Sequence, residues 1–246
     1  SIFIFSNGDL IQSKDIMNDG IWCTLIGHAH GKYVVRILVQ LKDKRAYNFV
    51  VNINNNLDKD RFNLETDWLI LLGADIESDK LVEDFGVFSP SHQVFSEEYI
   101  SGETVHQYLT RKKNEIASND FKDRWQMRWL HYIWNGAFAY LEFWKRSGKT
   151  RMIEDASTKN LIIPEFDYYT GTRLISISGR KNTIKLEDVL LALNKKLIID
   201  TESEFKGLHK MAEWEILFTV VLEVFGVDKG FNLLKTIKNN YDEFGL

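Results

Sequence analysis

Gly20 to Ile53 reads GIWCTLIGHAHGKYVVRILVQLKDKRAYNFVVNI. It holds three apolar, β-branched runs, Ile21 to Ile26, Tyr33 to Leu41 and Ala46 to Ile53, separated by the turn-like GHAHGK and KDKR. Such runs, punctuated by glycine and by charge, predict three strands in an antiparallel meander. Further along, RFNLETDWLILLGADI spaces Phe62, Leu64, Trp68, Leu69 and Leu72 in a way compatible with one helix, with a buried strand near Leu69 as the alternative. FGVFSP and HQVFSEEYI then read as two more short strands.

The pattern changes near Ser101. In FKDRWQMRWLHYIWNGAFAYLEFWKRSGK, Trp125, Trp129, Ile133, Phe138, Leu141 and Trp144 recur at helical spacing, and Gly148 follows Lys145 and Arg146 as at a helix end. A helix apolar on several faces belongs in a core, so its tryptophans are read as packing residues rather than a stacking platform. Leu186 to Lys195 and Lys210 to Phe225 also read as helices, and NLIIPEFDYYTGTRLISISGR as a hairpin. The expected architecture is α+β: a strand-rich lobe over residues 1–100 and a mainly helical lobe over 101–246, joined near EEYISGET.

Composition narrows the function classes. With 246 residues and 44% hydrophobic content the chain can bury a substantial core. A formal charge of -4 argues against general polyanion binding, which needs many cations to release counterions from phosphates, so nucleic acid is not an expected partner. The single cysteine, Cys23, permits no intrachain disulfide and suits a reducing compartment. No apolar run approaches the roughly 20 residues a membrane-spanning helix needs. A cytoplasmic protein without a membrane partner is the expectation.

One loop carries candidate chemistry. In RMIEDASTKNLII, Asp155 precedes Asn160 by five positions and an apolar run follows. In the order strand-rich lobe, VFSEEYISGETVHQYL, long helix, D-x-x-x-x-N, the chain resembles the protein-kinase-like superfamily, particularly its aminoglycoside- and choline-type phosphotransferases. The resemblance implies a two-lobed fold that binds ATP with Mg²⁺ and transfers phosphate to a hydroxyl of a small molecule or a protein. It implies Asp155 as the residue that positions or deprotonates the acceptor hydroxyl and Asn160 as a Mg²⁺ ligand. It places Glu97 and Tyr99 in the hinge that receives adenine through its backbone. Arg173, Arg180 and Lys181 would flank the phosphates, with Arg180 the candidate contact.

The family's next metal ligand is an Asp after the hairpin. Here the chain reads RLISISGR, so Ser178, Ser176 or the hairpin's Asp167 are the candidate second ligands. The family's strand lysine is also missing from YNFVVNI, where Asn52 is the only long polar residue near the expected place, and Glu65 would be its helix partner. GHAHGK keeps Gly27 and Gly31 but not the full glycine pattern of the nucleotide-covering loop. These departures define the alternative function, a catalytically inactive kinase-like regulatory or interaction module of a larger protein.

Plainer readings accompany each candidate. Asp155 and Asn160 suit a polar turn held by side chain to backbone bonds. His28 and His30 suit a solvated turn, lacking a third clustered ligand. Glu97 and Glu98, adjacent on a strand, point to opposite faces and cannot form a carboxylate dyad unless the strand is bulged, so a lone hinge acid is the plainer expectation.

Overall fold

The computed structural model describes residues 2–4, 10–29, 31–54, 84–89, 93–118, 121–153, 155–165, 172–175, 179–181, 184–208 and 214–238. The expected helix over Phe62 to Leu72 lies outside them, as do Glu65, Asp167, Ser176, Ser178 and His30. The described residues form an α+β protein that divides into two compact units, one ending at Ile100 and the other beginning at Ser101.

The first unit opens with two short antiparallel strands, β1 (Ile2–Ile4) and β2 (Leu10–Gln12). A single 3₁₀ turn follows, in which the Asp15 carboxylate accepts from the Gln12 amide at 3.0 Å. The main sheet is built from β3 (Ile16–Ala29), β4 (Lys32–Leu41), β5 (Ala46–Asn54), β6 (Asp84–Ser89) and β7 (Val94–Glu98), in the spatial order β3-β4-β5-β7-β6. All pairs are antiparallel, and β7 returns to lie between β5 and β6. The meander is therefore present, with β3 starting five residues before Ile21. The ladder breaks between Ile16 and Ile21, where Asp19 has a φ of 58°.

The period of two sorts the sheet into faces. Val39, Leu41, Tyr47, Phe49 and Val51 pack with Ile11 as one apolar cluster. The opposite face carries Lys32, Val34 and Arg36 on β4, Asn48, Val50, Asn52 and Asn54 on β5, and Phe95 and Glu97 on β7, as the register requires.

The second unit begins with β8 (Gly102–Thr104), which runs into α1 (Val105–Arg111). Thr104 Oγ1 accepts from the Gln107 amide at 3.1 Å while the Thr104 amide donates to Gln107 Oε1 at 2.8 Å, closing a capping box. After α2 (Lys113–Ala117) comes α3 (Lys122–Arg146), the 25-residue helix expected from the tryptophan spacing. Trp125, Trp129, Ile133, Leu141 and Trp144 are buried, and Phe138 is half-buried. The helix ends where Gly148 takes a φ of 64°, a left-handed conformation that glycine adopts without a Cβ penalty.

Four short strands follow: β9 (Arg151–Ile153), β10 (Leu161–Pro164), β11 (Arg173–Leu174) and β12 (Gly179–Lys181). β10 lies between β11 and β8, and β9 pairs with β12, all antiparallel. The expected helix at Leu186 runs further than Lys195. It is α4 (Leu186–Ala192), a π-helical stretch Leu193–Ile199, then α5 (Asp200–Glu204). Buried Leu193, Leu197 and Ile198 continue the apolar face of α4, so no breaker ends it at Lys195. α6 (Trp214–Phe225) and α7 (Val227–Lys238) complete the described chain. Trp129 Nε1 donates to Glu202 Oε1 at 2.9 Å inside this core and ties α3 to α5.

Gly102 controls how β10 is held. A Cβ added there would sit 2.1 Å from the Ile163 carbonyl oxygen, a backbone atom that cannot move without the strand. Gly102→Ala is expected to lower unfolding free energy by about 1–3 kcal/mol, the usual cost of overpacking, as read by urea denaturation.

Candidate functional site

The Asp155 to Asn160 loop is positioned by what flanks it. Ile153, Ala156, Thr158 and Leu161 are buried, whereas Asp155 is exposed and Asn160 half-buried. Apolar and capped positions thus anchor the loop while its acidic residue stays in solvent. Gly136 of α3 makes room for the anchor after Asn160, since a Cβ there would lie 2.6 Å from Leu161 Cδ1. Thr158–Asn160 forms one 3₁₀ turn, with Ser157 Oγ accepting from the Lys159 amide at 3.4 Å.

Three hydrogen bonds fix its shape. Asn160 Nδ2 donates to the Asp155 carbonyl oxygen at 2.7 Å. Tyr140 Oη, rising from α3, lies 3.2 Å from the same carbonyl oxygen and 3.3 Å from that of Ser157, and its one proton serves these two acceptors. A carbonyl only accepts, so the Asn160 amide nitrogen must face it and Oδ1 must point the other way. Among the described residues neither Asn160 Oδ1 nor the Asp155 carboxylate has a hydrogen-bond partner. The bond across the loop spends the nitrogen and leaves the oxygen.

These donors match a hard cation. Mg²⁺ takes oxygen ligands, keeps several waters and is usually held by few protein groups together with substrate phosphates. Asn160 Oδ1 and the Asp155 carboxylate are oxygen donors of that kind. The remaining candidates, Asp167 and Ser178, lie outside the described residues. No group of three or more His, Cys, Asp or Glu able to hold a metal ion occurs among the described residues. Arg180 stands on β12, its backbone paired with Met152.

The candidates of the first unit are engaged differently. Asn52, at the expected lysine position, is buried and donates from Nδ2 to Glu97 Oε1 at 2.9 Å. The Glu97 side chain is committed within the sheet face, so any contact of this residue with adenine falls to its backbone. Glu98 lies on the other face, as expected for neighbours on a strand. Tyr99 receives the Arg36 guanidinium over its ring at 4.1 Å, and Arg36 Nε also donates to Asn48 Oδ1 at 3.0 Å. His28 is exposed and stacks on Tyr33 with ring centroids 4.5 Å apart.

Tyr140, Arg36 and Asn48 are participants that the sequence reading did not single out. A signal existed for the asparagines: Asn48, Asn52 and Asn54 share one parity on a strand, where asparagine is depleted. Nothing local marks Tyr140, one aromatic residue among many on an apolar helix.

Comparison with protein-family models and with curated proteins finds no match to this chain. No helix among the described residues is long and apolar enough to cross a membrane.

Burial raises the Tyr140 phenol well above its ordinary range, and the nearby Asp155 charge adds to the rise. Tyr132, also on α3, is raised too, by burial first and by Tyr108 next. A phenol whose pKa is raised by folding contributes stability that is whole below its unfolded pKa and is lost as pH rises toward the folded value. Unfolding free energy is expected to fall above about pH 10, and to fall less steeply in Tyr140→Phe, as read by denaturation across that range. At neutral pH the same substitution is expected to cost about 1 kcal/mol, the usual net worth of a hydrogen bond.

Proposed function

We propose that this chain is a two-lobed, kinase-like domain that binds ATP together with Mg²⁺ and transfers phosphate to a hydroxyl of a small molecule or protein. The observation that carries this reading is the bond from Asn160 Nδ2 to the Asp155 carbonyl, which turns an amide oxygen outward five residues after an exposed carboxylate. In this reading Asn160 Oδ1 holds the metal, with Asp167 and Ser178 as further ligands. When bound, the metal neutralises charge on the phosphates. Asp155 holds the acceptor hydroxyl and takes its proton, Tyr140 keeps Asp155 in position, and the backbone of Glu97 to Tyr99 receives adenine. Arg180 is the candidate phosphate contact of the second unit. Phosphoryl transfer asks mainly for such positioning and charge stabilisation, so this small set of groups is chemically sufficient. A reducing, cytoplasmic setting is in keeping with the single cysteine.

A second reading is favoured by one observation. Asn52 occupies the expected lysine position and is bonded to Glu97, so the strand offers no cation to the phosphates. On this reading the domain binds nucleotide without transferring phosphate and serves as a regulatory or interaction module.

Thermal denaturation with ATP, with and without Mg²⁺, separates the two. A Mg²⁺-dependent rise in Tm that Asn160→Ala abolishes and Asn160→Asp retains in part supports phosphotransfer. A rise indifferent to Mg²⁺ supports the non-catalytic module. No rise with ATP under either condition overturns both.

A further inference from the structure

The sheet face that holds Asn52 is not without a cation. Lys32, the first residue of β4, shares this face, and its Nζ lies 5.9 Å from the centroid of the Phe95 ring. Phe95 is the residue directly opposite Asn52 across the β5·β7 pair. Lys32 is half-buried and makes no ion pair or hydrogen bond among the described residues. Its ammonium stands over the Phe95 ring with no anionic partner among the described residues, so an anionic ligand can pair with it there.

A second, independent feature lies next to it. Asn54 is paired directly with Lys32 in the β4·β5 ladder and is only 2% exposed. Its Nδ2 is buried without a hydrogen-bond partner. A buried donor left unpaired costs about 1–3 kcal/mol, so this face carries an unpaired donor beside a cation that has no anionic partner among the described residues. Gly27, paired with Val34 on the same face, places no side chain at this end of β3. The bulge between Leu25 and Gly27 bends the strand at the same level.

Resting on the nucleotide-binding reading, we propose that Lys32 supplies the phosphate-binding cation that β5 lacks, with the Asn54 amide as a second donor to the same phosphate oxygens. The cation then stands on β4, next to β5 and on the same face as Asn52. An ammonium to phosphate bond is charge-assisted and does not require the bidentate geometry of arginine.

Isothermal titration of the full chain with ATP and with adenosine tests this assignment. Lys32→Met is expected to weaken ATP binding at least about tenfold, the loss of one hydrogen bond to a charged group, and to leave adenosine binding and the Tm of the free protein unchanged. Lys32→Arg is expected to restore part of the loss. If the parent chain binds ATP and Lys32→Met binds it equally well, the Lys32 assignment is overturned while nucleotide binding stands. Equal weakening toward ATP and adenosine also overturns it, because the effect then lies in packing against Phe95. If the parent chain binds neither ATP nor adenosine, the nucleotide-binding reading fails and the Lys32 assignment fails with it.

Discussion

The bond from the Asn160 side chain to the Asp155 carbonyl is the constraint on which the candidate chemistry rests. It closes the six-residue stretch from Asp155 to Asn160 on itself and decides which end of the amide is left without a partner among the described residues. Tyr140 reinforces the closure from the buried side, so the loop is tied to the longest helix of the unit. A surface loop free to rearrange would present Asp155 and Asn160 in no fixed relation. Here the relation is set by one short hydrogen bond, one buried phenol and four buried anchors, one before and three after the exposed acid.

This arrangement explains how a packing helix and an ordered polar loop coexist. The apolar face of α3 needs burial and receives it from Leu161, Leu197 and the tryptophan contacts. Tyr140 belongs to that face, yet its hydroxyl must find acceptors once buried, and the two loop carbonyls provide them. The same satisfaction of a core polar group therefore orders the loop. In the sheet of the other unit, the Asn52–Glu97 bond solves a comparable problem for two polar side chains on a buried face.

Parts of this were legible in the sequence for identifiable reasons. The meander was readable because Tyr33 to Leu41 and Ala46 to Ile53 are long, β-branched and bounded by turn residues, and the long helix because its tryptophans recur on one stripe. The burial of Trp125, Trp129 and Trp144 follows from that stripe. The start of β3 was not legible, because MND between Ile16 and Ile21 carries no strand signal and the ladder breaks there. The passage from α4 through a π-helical stretch into α5 was also hidden, since a shift in helical phase blurs the period that a helix is read by. For the site, the spacing of Asp155 and Asn160 was visible, but the direction of the amide was not. That depends on Tyr140 and on a backbone carbonyl, neither of which a sequence pattern encodes. Lys32 lies on β4, outside the strand where the family resemblance places its lysine, so no sequence pattern singles it out.

The most direct test of the central claim is whether the outward Asn160 oxygen meets a nucleotide-bound metal. Nuclear magnetic resonance of the side-chain amide group of Asn160, with Mn²⁺ in place of Mg²⁺, reads this from paramagnetic broadening. The account predicts that the Asn160 amide signal broadens when Mn²⁺ and ATP are present together and stays sharp with Mn²⁺ alone. A signal that stays sharp with ATP bound and Mn²⁺ present would contradict it.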